Sequence, residues 1–241
     1  MKSSLTYELN NDTPGEKKRY IRSLFDSIVP TYDLLNHLLS MGIDTSWRKN
    51  IFKIARPVKD QLVIDLCSGT GDLSKLLHNK GGKTVSLDFS INMLRRGIER
   101  KALLGDAVAA DACNIPFKDN TFHTATIAFG IRNIPDLDHF MAEVKRVLVP
   151  GGQLIILELT RPENKMVNAF YKTYLGRILP FVGGVVSGKR AAYQYLSGTI
   201  ETFVDPGALQ EMLERHDFIH VVPYPQTWRV ATILVCEKRW S

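Results

Sequence analysis

The stretch 63-VIDLCSGTGDLS-74 decides the fold. It begins as a short apolar, β-rich run containing Asp65, continues into a turn with Gly69 and Gly71, and ends where a helix starts. Because glycine has no Cβ, such a turn lets a ligand approach the backbone closely. In open α/β sheets this first turn lies at the carboxyl ends of the strands, where cofactors bind. Ser74 stands where dinucleotide-binding dehydrogenases carry a third glycine. A glycine-rich turn of this kind can also be purely structural, which is the alternative.

Strands and helices alternate on the carboxyl side of this stretch, which predicts a parallel sheet covered on both faces. Three helices are expected before the first strand, interrupted near Pro30 and Pro57. We predict one domain over 1–241, with four parts: a helical cap (1–57), a cofactor-binding core (58–160), a basic-aromatic segment (161–205) and a C-terminal helix with strands (206–241). The predicted strands cover 61–67, 83–90, 106–111, 122–130, 153–159, a run IHVVPYP from 219, and 230–238.

The composition fits a globular chain, with 44% apolar and 23% charged residues among 241. No run of about 18 apolar residues occurs, so no membrane-spanning helix is expected. Cys67, Cys113 and Cys236 are too few and too scattered for a disulfide framework or a zinc site. We therefore expect a reduced, cytoplasmic compartment.

Positive charge is concentrated between residues 161 and 190, a stretch with six basic residues and one acidic residue, Glu163. Aromatic and aliphatic residues alternate with them. Such a surface could meet nucleic acid, an anionic membrane or an acidic partner. A solvated helix with an ordinary core face is the alternative. The basic residues are Arg161, Lys165, Lys172, Arg177, Lys189 and Arg190.

The next two strand ends carry residues that suit a nucleoside. Asp88 stands 17 residues after Gly71, where a carboxylate can accept hydrogen bonds from two ribose hydroxyls. Asp111 and Ala112 end the third predicted strand, where a short polar residue can meet the amine of an adenine. Three successive strand ends thus predict one nucleoside-binding site.

Several spaced motifs carry a family resemblance. The patterns D-x-x-x-G-T-G-D from Asp65, LDFSINML (87–94) and D-A-x-x-x-P-F-x-D-x-x-F from Asp111 resemble class I S-adenosylmethionine-dependent methyltransferases. The segments AFGIRNIPD (128–136) and RVLVPGGQLIILELTRP (146–162) are similar to the menaquinone/ubiquinone biosynthesis C-methyltransferase family. The resemblance covers the chain from about Phe25 to Tyr195.

This resemblance implies an α/β fold of the Rossmann-like class I methyltransferase type. Its sheet would have seven mostly parallel strands, the last one antiparallel, with an N-terminal helical cap and a helical insertion before the last strands. It also implies C-methylation of a polyprenylated hydroquinone, either demethylmenaquinol or a 2-methoxy-6-polyprenyl-1,4-benzoquinol, with S-adenosyl-L-methionine as the methyl donor.

The resemblance also assigns positions around the cofactor. Ala128 stands where relatives often have a small hydroxyl residue, so one hydrogen bond is expected to be missing there. The implied cofactor-binding residues are Gly69, Thr70 and Gly71 at the methionine part, Asp88 at the ribose, Asp111 and Ala112 at the adenine, and Tyr32, Asp33 and Asn36 of an N-terminal lid. Helix capping and packing are the alternative for the three lid residues.

Methylation of an aromatic carbon needs electron density, which a hydroquinone supplies best as its phenolate. Because the pKa of an exposed phenol is near 10, the site should either lower that pKa with a nearby cation or remove the proton with a base. Arg132 is the leading candidate for the cation, and Asn133 could orient it or the substrate oxygen. A salt bridge at a helix start is the alternative for Arg132. Glu158 is either a base or a structural partner of Arg161.

A polyprenyl tail is insoluble in water, so the enzyme should cover it or dock at a bilayer. The run YKTYLGRILPFVGG (171–184) combines the residues of interfacial helices. We therefore expect peripheral contact with an anionic membrane, on the inner face of the cell membrane. The methyl transfer needs no metal, and no base-flipping motif suggests a nucleic acid partner. Whether the chain forms a homodimer is left open by the sequence.

Two departures from the family pattern bear on the substrate. Asp44-Thr45 stands where relatives commonly have His-Arg, and 226-QTWR-229 replaces a Thr-Gly-Gly turn. They keep open a methyltransferase for another lipid or phenol, and a non-enzymatic lipid-binding relative. Binding of S-adenosylmethionine separates the last alternative from the others.

Overall fold

The computed structural model describes residues 14–40, 42–178, 180–182, 195, 198–199 and 206–240. A seven-stranded sheet in the order β3-β2-β1-β4-β5-β7-β6 forms its centre. β7 runs antiparallel to both of its neighbours and the other pairs are parallel, which confirms the expected topology. The strands are β1 (Leu62–Leu66), β2 (Lys83–Asp88), β3 (Asp106–Ala109), β4 (Phe122–Ala128), β5 (Leu148–Leu159), β6 (Phe218–Gln226) and β7 (Ala231–Lys238).

Helices precede the sheet and connect its strands. Their starts follow from local capping: the side chains of Ser90, Asp136 and Asn164 accept hydrogen bonds from the first turns of α5, α6 and α7. After α7 the chain continues as a π-helical turn over Tyr174–Ile178. The helices are α1 (Pro14–Ile28), α2 (Tyr32–Leu39), α3 (Asp44–Ile54), α4 (Asp72–Asn79), α5 (Ile91–Glu99), α6 (Leu137–Val147), α7 (Lys165–Thr173) and α8 (Pro206–Arg215).

Neighbouring residues of a strand point to opposite faces of the sheet. Both faces are buried by packed helices. Ile156 of β5 belongs to a core cluster with Phe140 of α6. Ile155, one residue earlier, packs in another cluster with Trp47 of α3 and Leu77 of α4. The N-terminal helix α3 therefore belongs to the helical layer on one face of the sheet.

Most predicted strands differ from the observed ones by one or two residues at an end, and the boundaries of β5 and β3 matter most for the sheet and the site. β5 begins at Leu148, five residues before the predicted start, and includes the Pro-Gly-Gly sequence expected to precede it. The reason is a bulge: Phe122 pairs with Leu148, and the next pair joins Thr124 to Gln153. β3 ends at Ala109, so Asp111 lies in the following loop.

The basic-aromatic segment is helical over Lys165–Ile178, as predicted. Residues 183–194 and 200–205 of that prediction lie outside the described residues. Within the part of the chain that the structure covers, no helix is long and apolar enough to span a bilayer.

The edge strand β6 carries two prolines, Pro223 and Pro225, which pair in register with Leu234 and Thr232 of β7. Both prolines are exposed. Because proline has no backbone N–H, it is tolerated in a strand mainly at an edge position.

Gly97 of α5 lies against the turn that follows β1. A Cβ at this position would come 2.9 Å from the carbonyl oxygen of Thr70 and 2.8 Å from Cγ of Leu103. The absence of a side chain at residue 97 therefore lets α5 support the backbone of the turn directly.

We expect Gly97→Ala to destabilise the protein by about 1–3 kcal/mol, because a backbone atom must shift to make room. This outcome opposes helix propensity, which favours alanine by about 1 kcal/mol. Gly176→Ala is the control, since a Cβ there would have no atom within 4 Å. Urea unfolding should show the loss for the first variant only, and equal midpoints for both would contradict the packing argument.

Candidate active site

The turn after β1 is held in place by the acid at the end of β2. Cys67, Gly69 and Gly71 have φ angles of 51°, 57° and 89°, in the left-handed region. The N–H groups of Gly69 and Ser90 each donate to Asp88, at 2.8 Å. Burial raises the pKa of Asp88 to about 6, against these two hydrogen bonds, which lower it. Asp88 is therefore ionised above about pH 6.

A cavity of about 930 Å³, counted to its open mouth, lies beside this turn. Asp111 and Ala112 line it as predicted, together with Lys18 of α1. Lys18 pairs with Asp111, which also accepts from the N–H of Cys113 at 3.0 Å. Burial raises the pKa of Asp111, but the bond from Lys18 and that from Cys113 outweigh it and leave the pKa below its usual value. Lys18 could not be assigned to this site from the sequence, because it lies on α1, 93 positions before Asp111.

A smaller, polar cavity of about 330 Å³ lies on the other side of the turn. The Ser68 hydroxyl is buried without a hydrogen-bond partner among the described residues. Two of the predicted site residues, Tyr32 and Thr70, line this cavity. Its other lining residues are Arg48, Asp65, Cys67, Ser68, Asp72, Leu73 and Ala128. An arginine close to two acids suits a ligand end that carries both a carboxylate and an amine.

The third cavity is mainly apolar and encloses about 1020 Å³, counted to its mouth. Arg48 lines this cavity as well as the polar one, so the two adjoin. The residue is 6% exposed and its guanidinium lies 5.0 Å from the centre of the Phe129 ring. The apolar walls come from Ile43, Trp47, Phe129, Leu159, Val167, Phe170, Tyr171, Tyr174, Leu175, Trp228 and Val230.

The predicted lid residues lie where these cavities meet. Thr70 donates a hydrogen bond to Asp33, which also pairs at 2.6 Å with Arg100, the residue that follows α5. Tyr32 packs over Gly69, whose added Cβ would lie 3.6 Å from the ring. Asn36 lines the apolar cavity. Helix α2 is thus fastened to the turn through Asp33.

The two predicted catalytic residues lie on different cavities. Arg132 lines the apolar cavity, whereas Asn133 lines the one beside Asp111 and accepts from the Tyr195 hydroxyl at 3.4 Å. The guanidinium of Arg132 forms a buried ion pair with Glu158. The backbone N–H of Arg132 donates to the same carboxylate at 3.4 Å. The pairing of Glu158 with Arg161 was wrong, because Glu158 is buried and Arg161 is exposed.

Asp44, the first departure from the family pattern, is a buried acid with several partners. It accepts from Ser40 at 2.6 Å, contacts His37 at 3.2 Å and pairs with Arg48. Burial raises the pKa of Asp44, but the hydrogen bond from Ser40 and the charge of Arg48 lower it by more. The pKa therefore lies below its usual value, and the carboxylate stays ionised at neutral pH. Asp44 therefore fixes the position of Arg48 while lining the apolar cavity.

The second departure reaches the same cavity. Trp47 donates from Nε1 to the Thr227 hydroxyl at 2.8 Å, and Thr227 and Trp228 line the cavity. Thr227, Trp228 and Arg229 have φ angles of 40°, 52° and 67°, a strained run for residues with a Cβ. Trp228 is 78% exposed, so its indole lies at the mouth.

Comparison with known proteins gives a consistent result. The model of the ubiE/COQ5 methyltransferase family matches residues 13–238. A demethylmenaquinone methyltransferase of Thermotoga maritima is 39% identical over 94% of this chain and 99% of its own length. A ubiquinone/menaquinone biosynthesis C-methyltransferase of Geobacter sulfurreducens is 36% identical over 92% of this chain and 90% of its own.

Solved structures agree at the level of the fold. A Thermotoga maritima methyltransferase described as a possible histamine N-methyltransferase superposes with a TM-score of 0.66 at 15% identity, over 91% of this chain and all of its own. A phosphoethanolamine N-methyltransferase of Haemonchus contortus, in complex with S-adenosyl-L-methionine, gives 0.60 at 16% identity, over 80% of this chain and 52% of its own. Both share the Rossmann-like architecture.

The pair between Arg100 and Asp33 tests the lid. We expect Arg100→Gln to weaken S-adenosylmethionine binding by about 2- to 5-fold, because Asp33 of α2 and Asp72 of α4 both lose their charged partner at the end of α5. Arg96→Gln is the matched control, since Arg96 lies four residues earlier on α5 and pairs with the exposed Glu99. Calorimetric titration of folded protein measures both, and equal affinities would show that the pair does not hold the lid.

Proposed function

The chain belongs to the ubiE/COQ5 methyltransferase family, and we propose that it methylates a ring carbon of a polyprenylated hydroquinone. It is an S-adenosylmethionine-dependent C-methyltransferase of quinone biosynthesis. We propose demethylmenaquinol, a 2-methoxy-6-polyprenyl-1,4-benzoquinol, or both as the substrate. The observation that carries the proposal is the apolar cavity, which meets the polar cavity at Arg48 and has the Arg132–Glu158 pair in its wall.

The described residues fit the cofactor. Asp88 would bind the ribose and Asp111 the adenine, while the polar cavity with its unpaired Ser68 hydroxyl would take the methionine end. Arg48, with Asp65 and Asp72 nearby, supplies charges for the carboxylate and amine of that end. When bound, S-adenosylmethionine supplies a methyl group on a positively charged sulfur.

The protein then has to position the ring and stabilise its anion. Arg132 is the cation that we assign to the phenolate oxygen. Its charge is shared with Glu158, so the guanidinium is held in a fixed orientation by a buried partner. The side chain of Arg132 is 7% exposed, so a hydrogen bond from its N–H groups to an anion is little screened by water, while Glu158 offsets part of the guanidinium charge.

Turnover with labelled S-adenosylmethionine tests this function. We expect methyl transfer to demethylmenaquinol, to the methoxy-polyprenyl-benzoquinol, or to both, and none to RNA. The quinols must be kept reduced, since the oxidised quinones have no phenol to ionise. Transfer to RNA alone, or to a phenolic lipid other than these two, would overturn the proposal.

We also propose that the mouth of the apolar cavity docks on an anionic membrane, from which the substrate tail is drawn. Met166 and Phe170 of α7 are 83% and 63% exposed, and Trp228 lies beside Phe170 on the cavity wall. Exposed Lys165 and Lys172 flank them on α7. Exposed basic and apolar side chains on one helix suit an anionic bilayer surface, where both kinds of contact are favourable.

The membrane contact predicts flotation with anionic vesicles and little with neutral phosphatidylcholine. We expect the double variant Phe170→Ser, Lys172→Gln to lower the vesicle-bound fraction at least 5-fold. The control is Ile98→Ser, which removes another exposed apolar side chain, on α5. Unchanged flotation of the double variant, or equal binding to neutral vesicles, would contradict an electrostatic docking face.

A further inference from the structure

Tyr171 of α7 presents a buried hydroxyl with no hydrogen-bond partner within the described ranges of the chain. Its side chain lines the apolar cavity, as do those of Phe170 and of Asp44 and Arg48 in α3. A buried phenol that is left unpaired is unfavourable, and a phenylalanine would fill the same space without that penalty. The hydroxyl therefore calls for a ligand that pairs with it.

A second unpaired donor belongs to the same cavity. Nε of Arg132 is buried and also lacks an acceptor among the residues that the structure describes, whereas Nη1 is taken by Glu158. Arg132 and Tyr171 are close enough for the charge of the guanidinium to act on the phenol, although burial dominates and raises the pKa of Tyr171. Tyr171 thus stays protonated at neutral pH and can act only as a donor to an anion.

We propose that the Tyr171 hydroxyl donates a hydrogen bond to the quinol oxygen that becomes anionic, alongside Nε of Arg132. The assignment rests on the function proposed above and adds a second substrate-binding group. A few well-placed polar groups in an otherwise apolar cavity fix the orientation of a ligand. Here they would place that oxygen at Tyr171 and Arg132 and leave the tail toward Phe170 and Trp228 at the mouth.

The bond has a consequence for the ionisation of the substrate. A donor to the phenolate stabilises the charged form and lowers the pKa of the bound quinol, so removing it raises that pKa. The other charged or titratable residues of the cavity are Asp44 and Arg48 of α3, Arg132 with its partner Glu158, and Tyr174 after α7. A change of Tyr171 to phenylalanine leaves all of them in place.

The test compares Tyr171→Phe with wild type in turnover of a short-tailed quinol. We expect kcat/KM to fall about 10- to 100-fold, the usual effect of losing one donor to a developing anion. The acid limb of the kcat profile should move to higher pH, and the affinity for S-adenosylmethionine should stay unchanged. The control is Tyr224→Phe, a half-buried tyrosine of β6 outside the cavity, for which we expect wild-type values.

A binding measurement separates recognition from a packing defect. Quenching of tryptophan fluorescence, with Trp47 and Trp228 on the cavity wall, reports the affinity for the quinol and for its two monomethyl ethers. Wild type should prefer the quinol over one ether, and Tyr171→Phe should lose that preference. A retained preference, or an unshifted pH profile with near-normal kcat/KM, overturns the assignment alone. A wild-type protein inactive on every quinol overturns the proposed function and this assignment together.

Discussion

The hydrogen bond from the Gly69 N–H to the Asp88 carboxylate is the contact on which the site depends. It ties the turn after β1 to the end of β2, and so holds a backbone that passes through the left-handed region at Cys67, Gly69 and Gly71. Asp65 supports the turn from below, because it accepts from Ser74 of α4 and Thr126 of β4. A carboxylate has about four acceptor positions, so Asp88 can hold the turn and still accept from a ligand.

The sheet could be predicted from the sequence because its signals are local. Short apolar runs separated by helical periods specify β1 to β4, and their order follows from the resemblance to one architecture. The start of β5 could not be predicted in this way. Its first residues include Pro150 and Gly151, which indicate a turn, and they join the strand only because a bulge realigns them with β4.

The acids of the proposed cofactor side could be located from the sequence for the same reason, since Asp88 ends β2 and Asp111 lies two residues after β3. The charge pairs could not be, because they join residues far apart in the chain. Glu158 meets Arg132 and not the nearer Arg161, and Lys18 reaches Asp111 from the first helix. Arg48 was part of a quoted motif, yet its place between two cavities depends on how α3 packs on the sheet.

The same packing explains why both departures from the family pattern concern one cavity. Asp44 fixes Arg48 from within α3, and Trp47 of that helix holds Thr227 across the top of the sheet. Part of the cavity wall is therefore assembled from two segments about 180 positions apart. A change in either segment alters the shape of this cavity without touching the turn between β1 and α4.

The prolines of β6 have a consequence for assembly. An exposed edge strand offers unpaired N–H and C=O groups to any other strand that passes, which is a common origin of aggregation. Pro223 and Pro225 stand two residues apart on the same edge and remove two donors from it. A second chain cannot continue the sheet on this side with a complete ladder. Strand addition at β6 is therefore disfavoured as a route to self-association of this protein.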